Sequence, residues 1–286
     1  MKKIYLLIAM LLSSSFALLS QEINFTNGEP ANANWSSPLN WSTGFIPTTT
    51  SIVNQESSAT SFVDVDFTIV RLQNLTSTGG TRLINSINGA VLSINSGGNN
   101  SVAIQNRSNN GVKLGIRGKI NINNSTPANF SRVTNFGDAS TGNAANSIEF
   151  EGTSLLTLTT PFEVFKTAHA NGANNFFFNG KIEGNANFRV AGSTTATFGN
   201  SVSNAGYTGQ IVLTGGTIVV NTADNVVFYD GPKIQVNTNG STLTLNGVNV
   251  FKSSITVGGT PSNNRTMNLN IDKNQNGFKA ITLITT

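Results

Sequence analysis

Residues of the types that carry out catalysis are few in this chain of 286 residues, which has one histidine and no cysteine. His169 lies in the word Thr-Ala-His-Ala-Asn, which offers no local partner for a Ser-His-Asp triad or a histidine-based metal site. Two acidic pairs are spaced two residues apart, Asp64 with Asp66 and Glu149 with Glu151. On a strand each pair shares a face and forms a possible acid/base or cation site, but such pairs are also common on solvated sheet faces. We assign no catalytic residue.

One segment resembles the first half of a calcium-binding loop. The word Asp-Lys-Asn-Gln-Asn-Gly begins at Asp272 and places Asn274 and Asn276 at ligand positions. The twelfth position is Leu283, so the bidentate acid of such a loop is missing. The favoured interpretation is an Asn-Gly turn between two strands, and we predict no metal and no cofactor, with Asp272, Asn274 and Asn276 as a weak metal candidate.

Three aromatic residues are candidates for ligand binding. Trp35 and Trp41 lie in a Pro- and Asn-rich entry segment, where they either cover the open end of the fold or form a platform for sugar stacking. Phe177 is the middle residue of Phe-Phe-Phe, and a strand there must point at least one ring outward. These residues favour binding chemistry over catalysis.

Composition and charge limit the partners. Charged residues make up 10% of the chain, whereas asparagine alone occurs 42 times. Residues 1–20 have a basic start, an apolar stretch and a small-residue exit, which is typical of a secretory signal peptide. Without the two lysines of that segment the chain has 15 basic and 13 acidic residues, a net charge of +2 that does not favour nucleic acid. We expect a secreted or cell-surface protein with no membrane span after signal cleavage.

Short β-rich runs bounded by Gly, Asn and Ser predict how the candidate residues are positioned. No interval carries the apolar stripe of a helix, and Asn and Gly tolerate the left-handed backbone of tight corners. We predict an all-β protein: a single right-handed parallel β-helix at residues 51–286, with a Trp/Pro-rich N-terminal cap at residues 21–50. At roughly 20 residues a coil it would have about 12 coils.

The stretch 184–228 carries the most recognisable words, Tyr-Thr-Gly from Tyr207 and Gly-Gly-Thr-Ile-Val-Val-Asn from Gly215. Its word order resembles the autotransporter-associated β-strand repeat of bacterial surface proteins, and the entry segment resembles the opening of secreted β-solenoids of Bacteroidetes-type bacteria. The resemblance implies a secreted, outer-membrane-associated β-solenoid. The chain departs from autotransporters because its C-terminal part leaves no room for a membrane β-barrel, so we expect either a fragment of a longer protein or release by another route.

Two classes of function remain open, and a third is weak. The favoured hypothesis is a non-enzymatic, adhesin-like or structural stalk that binds glycans or other surfaces, with an oligomeric state that the sequence does not indicate. The alternative is a carbohydrate-active β-helix enzyme, a polysaccharide lyase or glycoside hydrolase. Its candidate residues are the two basic residues Lys166 and Arg189 and the three acidic residues Glu149, Glu151 and Asp138. Ice binding is the third, but the T-x-T words at Thr157 and Thr242 are too few to predict an array.

Overall fold

The computed structural model describes residues 20–75, 79–98, 100–108, 111–137, 146–166, 175–199, 203–259 and 265–285. Regular structure in these ranges is almost entirely strand, which confirms the all-β prediction, and one 3₁₀ helix spans Pro38–Asn40. The strands are β1 Gln21–Phe25, β2 Ser51–Gln55, β3 Ser61–Val63, β4 Phe67–Ile69, β5 Arg71–Asn74, β6 Gly80–Ser86, β7 Val91–Ser96, β8 Ser101–Ser108, β9 Val112–Arg117, β10 Lys119–Asn124, β11 Ser131–Gly137, β12 Ser147–Phe150, β13 Leu155–Leu158, β14 Phe162–Lys166, β15 Asn175–Phe178, β16 Lys181–Gly184, β17 Phe188–Ala191, β18 Thr195–Phe198, β19 Ile211–Thr214, β20 Thr217–Val220, β21 Ile234–Thr238, β22 Ser241–Leu245, β23 Ser254–Gly259, β24 Met267–Ile271 and β25 Ala280–Thr285.

The strands form three sheets in which every pairing is parallel. Sheet A has eleven strands, in the order β1-β2-β5-β8-β11-β14-β17-β19-β21-β23-β25. Sheet B has nine, from β24 through β22, β20, β18, β15, β12, β9 and β6 to β3, and sheet C has five, β16-β13-β10-β7-β4. Successive strands step from sheet to sheet around a common axis, which is the architecture of a parallel β-solenoid.

The coils are of two kinds. From β2 to β16 the chain visits sheets A, B and C in turn, and from β17 onward it visits only A and B. Successive strands of sheet A begin about 30 residues apart at Ser101, Ser131 and Phe162, but only about 20 to 23 apart at Ile211, Ile234 and Ser254. The expected coil of about 20 residues therefore describes the two-sheet part and the first three-sheet coil, from Ser51 to Arg71, whereas the other three-sheet coils are longer.

The solenoid begins within the segment that we assigned to the cap. Strand β1 pairs in register with β2, and its Ile23 and Phe25 are buried. This short alternating run directly precedes the Trp- and Pro-rich segment. Because the composition of the whole entry segment indicated a cap, the strand was not predicted. The cap proper is the segment that follows, which the chain folds back over the first strands.

The core is lined by inward-pointing side chains in register from coil to coil. In sheet B, Phe150 stacks on Phe178 and Phe178 on Phe198, each pair with ring centroids 5.1 Å apart. Toward the C-terminal end the ring contacts continue through Phe228, whose centroid lies 4.5 Å from that of Phe198. Offset stacks of this kind stabilise beyond their buried area.

Buried amide side chains occupy the corners between sheets A and B. Asn74, Asn106 and Asn135 are fully buried, and the Asn74 amide donates to Asn106 Oδ1 at 2.8 Å. Asn106 Nδ2 donates in turn to the Val112 carbonyl at 2.8 Å. Because buried backbone groups at a corner lose their strand partners, these amides supply the hydrogen bonds that the turn leaves open.

Some expectations fall outside the described ranges. They are residues 1–19 of the predicted signal peptide, Asp138 and His169. In the part of the chain that the structure describes, no helix has the length and apolar character needed to cross a bilayer.

Candidate functional site

The outward face of sheet B is the candidate site, because its side chains form two straight columns along the solenoid axis. Side chains alternate between the two faces of a strand, and the strands pair in register, so equivalent positions stack about 4.8 Å apart. One column comprises Thr81, Lys113, Ser147, Asn175, Thr195, Thr217, Thr242 and Asn268. The other comprises Leu83, Gly115, Glu149, Phe177, Thr197, Val219, Thr244 and Asn270.

Charged side chains concentrate near the middle of this face. Lys113 Nζ lies 2.6 Å from Glu149 Oε2 and 2.9 Å from Glu151 Oε1. Arg117 forms a second ion pair with Glu151, and Asn179 donates to Glu149 Oε1 at 2.8 Å. The Glu151 carboxylate lies over Gly115, where an added Cβ would approach Glu151 Oε1 to 2.8 Å. Glycine at this position therefore makes room for the network.

The network favours the ionised forms of Lys113 and Glu151. Burial alone would raise the pKa of Glu151, but its bonds to Lys113 and Arg117 outweigh that effect and lower it. Burial alone would lower the pKa of Lys113, but the two glutamates outweigh it and raise it. A general acid at neutral pH needs a raised carboxyl pKa. Glu151 has the opposite shift, so this ion-paired cluster suits hydrogen bonding better than proton transfer.

Phe177 supplies an aromatic surface beside the charged cluster. It is half-buried on the outward face, whereas Phe176 and Phe178 are buried in the core, which confirms the expected outward ring. In the second column it lies between Glu149 and Thr197 on the neighbouring strands. An apolar ring flanked by a carboxylate and a hydroxyl can stack a flat apolar surface while its neighbours accept or donate hydrogen bonds.

Trp35 and Trp41 are buried, so they do not offer the open platform for sugars that was the less favoured of the two interpretations. Both indoles are buried, and their ring centroids lie 5.2 Å apart in an edge-to-face contact. Trp41 also packs against Phe25, and Trp35 against Phe67. Since protein covers both rings, no ring face is open to a ligand. The contacts instead place the two tryptophans over the first coil, as the cap interpretation expects.

The calcium-loop candidate is a corner of the last coil, stacked on the coil before it. Asn249 donates its backbone N–H to the Asn274 carbonyl at 2.9 Å, and the Asn276 N–H donates to Asn249 Oδ1 at 2.8 Å. Gln275 Oε1 accepts from the Val250 N–H at 2.9 Å. These bonds account for the Asn-rich word as turn chemistry. Among the described residues no group of three or more His, Cys, Asp or Glu side chains could hold a metal ion.

The candidate residues of the enzyme alternative lie on different faces. Arg189 lies on the outward face of sheet A, where it forms an ion pair with Glu163, and Glu163 forms another with Arg132. Lys166 ends β14 in the same sheet, whereas Glu149 belongs to β12 of sheet B. The structure therefore does not bring the described candidates into one groove.

Glu163 was missed by sequence reasoning. It is 1% exposed between Arg132 and Arg189, which stand opposite it on the neighbouring strands. Arg189 also lies over the Phe130 ring, 3.7 Å from its centroid. The sequence does contain an acid with one arginine a coil before it and another a coil after it. This spacing can be recognised as an ion-pair pattern only when the coil length is known. The closed environment indicates a structural triad.

The motifs Tyr-Thr-Gly and Gly-Gly-Thr supply residues that allow successive coils to pack closely. Tyr207 is buried, and its hydroxyl donates to the Ala186 carbonyl. A Cβ at Gly209 would overlap that same carbonyl, and a Cβ at Gly216 would approach Val190 Cγ1 to 2.5 Å. Only glycine fits these close approaches between coils.

The chain matches no protein-family model, no curated protein and no solved structure.

Proposed function

We propose that this protein is a secreted or cell-surface, non-enzymatic β-solenoid that binds glycans or other surfaces through the outward face of sheet B. Phe177, held between Glu149 and Thr197, is the observation that carries the proposal. Pyranose rings present apolar C–H faces and hydroxyl edges, so an aromatic ring flanked by polar groups suits them chemically.

The form of the face suits an extended polymer. Its two columns run through eight strands, from β6 to β24, with hydroxyl and amide groups in most positions. Many weak, repeated contacts of this kind bind a long chain through effective concentration, without a deep pocket. Repeated hydrogen bonds and stacking contacts of this kind are sufficient for an adhesin-like stalk, which needs no catalytic group.

The charges argue for binding over turnover. Glu149 and Glu151 are engaged by Lys113 and Arg117, and the pKa of Glu151 is lowered. A lyase or hydrolase would need a carboxyl group or base poised near neutral pH within reach of the reacting atoms. The enzyme is therefore the second candidate.

A glycan array tests the proposal. The purified chain should bind at least one uronic-acid or neutral polysaccharide, and Phe177→Ala should weaken that binding about tenfold, equivalent to about 1.4 kcal/mol. Leu155→Ala is the matched control, because Leu155 is a half-buried, outward apolar residue of sheet C. Equal binding by the wild type and Phe177→Ala, or a loss confined to Leu155→Ala, would contradict the assignment of this face.

A further inference from the structure

Charge is distributed unevenly along the outward face of sheet B. The ion-paired cluster of Lys113, Arg117, Glu149 and Glu151 lies on β9 and at β12. On the next four strands of the sheet, β15, β18, β20 and β22, both outward columns are uncharged. Their residues are Asn175, Phe177, Thr195, Thr197, Thr217, Val219, Thr242 and Thr244. The face therefore has a charged part and a neutral part, and Phe177 lies at the boundary between them.

The cations of the charged part are already engaged. Among the outward side chains that the structure describes on the sheet B strands from β6 to β22, the cationic ones are Lys113 and Arg117. Lys113 pairs with Glu149 and Glu151, and Arg117 pairs with Glu151. Strong recognition of an anionic group needs a lysine or arginine as its partner. An acidic polysaccharide would have to displace these glutamates, and the Glu149 carboxylate beside Phe177 would repel it.

The neutral part presents hydroxyl groups that the protein does not use. Four half-buried threonines point outward there, and within the described ranges none of their hydroxyls forms a hydrogen bond: Thr195, Thr197, Thr217 and Thr242. By contrast, Thr157 on sheet C donates to Glu183 at 3.1 Å. Equivalent positions on neighbouring strands lie about 4.8 Å apart, and alternate residues of one strand about 6.6 Å apart. A regular grid of donors and acceptors therefore extends from Phe177 along the solenoid axis.

We infer that the ligand of this face is an uncharged polysaccharide that lies along the solenoid axis over β15, β18, β20 and β22. Phe177 stacks against one sugar ring, and the threonine hydroxyls bind the hydroxyl edges of the sugars that follow. Engagement of both cations, together with Glu149 at the Phe177 end, selects against polyuronates and sulfated chains. This inference rests on the proposed function and adds the chemical class of the ligand.

Matched polymers test the ligand class by biolayer interferometry. Hydroxyethylcellulose, dextran and mannan are each compared with a carboxymethyl derivative of the same backbone, and the readout is the binding that Phe177→Ala removes. We expect such binding to at least one neutral polymer, about tenfold or more weaker for its carboxymethyl form, and insensitive to salt. Phe177-dependent binding that is equal or tighter for the carboxymethyl forms would overturn the inference and leave the proposed function in place. No Phe177-dependent binding to any polymer would contradict both.

A cation introduced into the neutral part tests the charge argument directly. Thr217 belongs to β20, between β18 and β22, so Thr217→Lys places an ammonium group in the middle of the threonine grid. The variant should bind the carboxymethyl polymers about fivefold more tightly than the wild type, and salt should remove this gain. Asn121→Lys is the matched control, because Asn121 is a half-buried, outward residue of β10 in sheet C, and it should give no gain. Equal gains for the two variants, or none for Thr217→Lys, would contradict the inference.

Discussion

The coils from β2 to β16 differ from those after them in how they close the third side of the solenoid. In the first group a strand of sheet C completes each coil. In the second group that side is made of turns, and Tyr207, Phe228, Tyr229 and Phe251 are buried behind them. Where a strand is missing, large rings fill the volume that its side chains would occupy.

The two groups also place their asparagine side chains differently. The three-sheet coils use strand pairing on every side and buried amides at the corners. The two-sheet coils carry their asparagine ladders in exposed turns, where Asn249 Nδ2 donates to Asn225 Oδ1 at 2.9 Å and Asn246 Nδ2 to Asn221 Oδ1 at 2.6 Å. Asparagine therefore stacks on asparagine in these turns, as it does in the buried pair Asn74 and Asn106. Aromatic volume, rather than an amide ladder, therefore takes the place of the third sheet.

The largest expected effect is at the boundary between the groups. Phe178 stacks between Phe150 and Phe198, so Phe178→Ala should lower the free energy of unfolding by about 3–5 kcal/mol through cavity formation. Phe177→Ala, one residue away on the outward face, should cost less than about 1 kcal/mol. Urea unfolding of both variants makes the comparison, and equal losses would mean that the aromatic stack does not support the core.

The N-terminal cap comes next. Trp41→Ala removes ring contacts to Phe25 and Trp35 and the hydrogen bond from Trp41 Nε1 to the Trp35 carbonyl, 2.8 Å. We expect a loss of roughly 3 kcal/mol and a lower melting temperature. Trp41→Phe should recover part of it. An unchanged melting temperature for Trp41→Ala would show that the cap does not stabilise the first coils.

A smaller effect should appear at high pH in the two-sheet coils. Burial raises the pKa of Tyr229 to about 12, and it also raises the pKa of Tyr207. An unfolded tyrosine ionises near pH 10, so the unfolded state releases protons first. The stability that Tyr229 contributes should therefore be complete below pH 10 and fall between about pH 10 and 12.

The variant Tyr229→Phe isolates this contribution. It loses the hydrogen bond from the Tyr229 hydroxyl to the Gly209 carbonyl, 2.9 Å, at a cost of about 1 kcal/mol at neutral pH. Its unfolding free energy should then fall less between pH 10 and 12 than that of the wild type. Parallel pH profiles for the two proteins would contradict the assignment.

The smallest effect concerns the ion-paired cluster of the three-sheet coils. Because the pKa of Glu151 is lowered, its contribution is present above about pH 4.3, the ordinary value, and is lost as the pH falls below it. Glu151→Gln should cost about 1 kcal/mol or less at pH 7, as for a partly exposed pair. The difference in unfolding free energy between Glu151→Gln and the wild type should shrink as the pH falls below about 4.3. A difference that grows in acid would contradict a lowered pKa for Glu151.

The fold class could be predicted from the sequence because turn residues and short apolar runs are local signals. The outward ring of Phe177 followed from strand alternation alone. The register between coils did not follow, because coil lengths vary and no local word fixes which residues stack. The pairing of Lys113 with Glu149, and of Arg132 with Glu163, depends on that register. Burial of Trp35 and Trp41 likewise depends on how the entry segment folds back.

The most direct test of the central claim is an assay for turnover on a polysaccharide that the protein binds. Glu149 and Glu151 are held in ion pairs with Lys113 and Arg117. We therefore expect the protein to bind the polymer and to produce neither new reducing ends nor unsaturated products. Calcium should make no difference. Product formation that disappears on Glu149→Gln, while binding persists, would contradict the account and establish the enzyme.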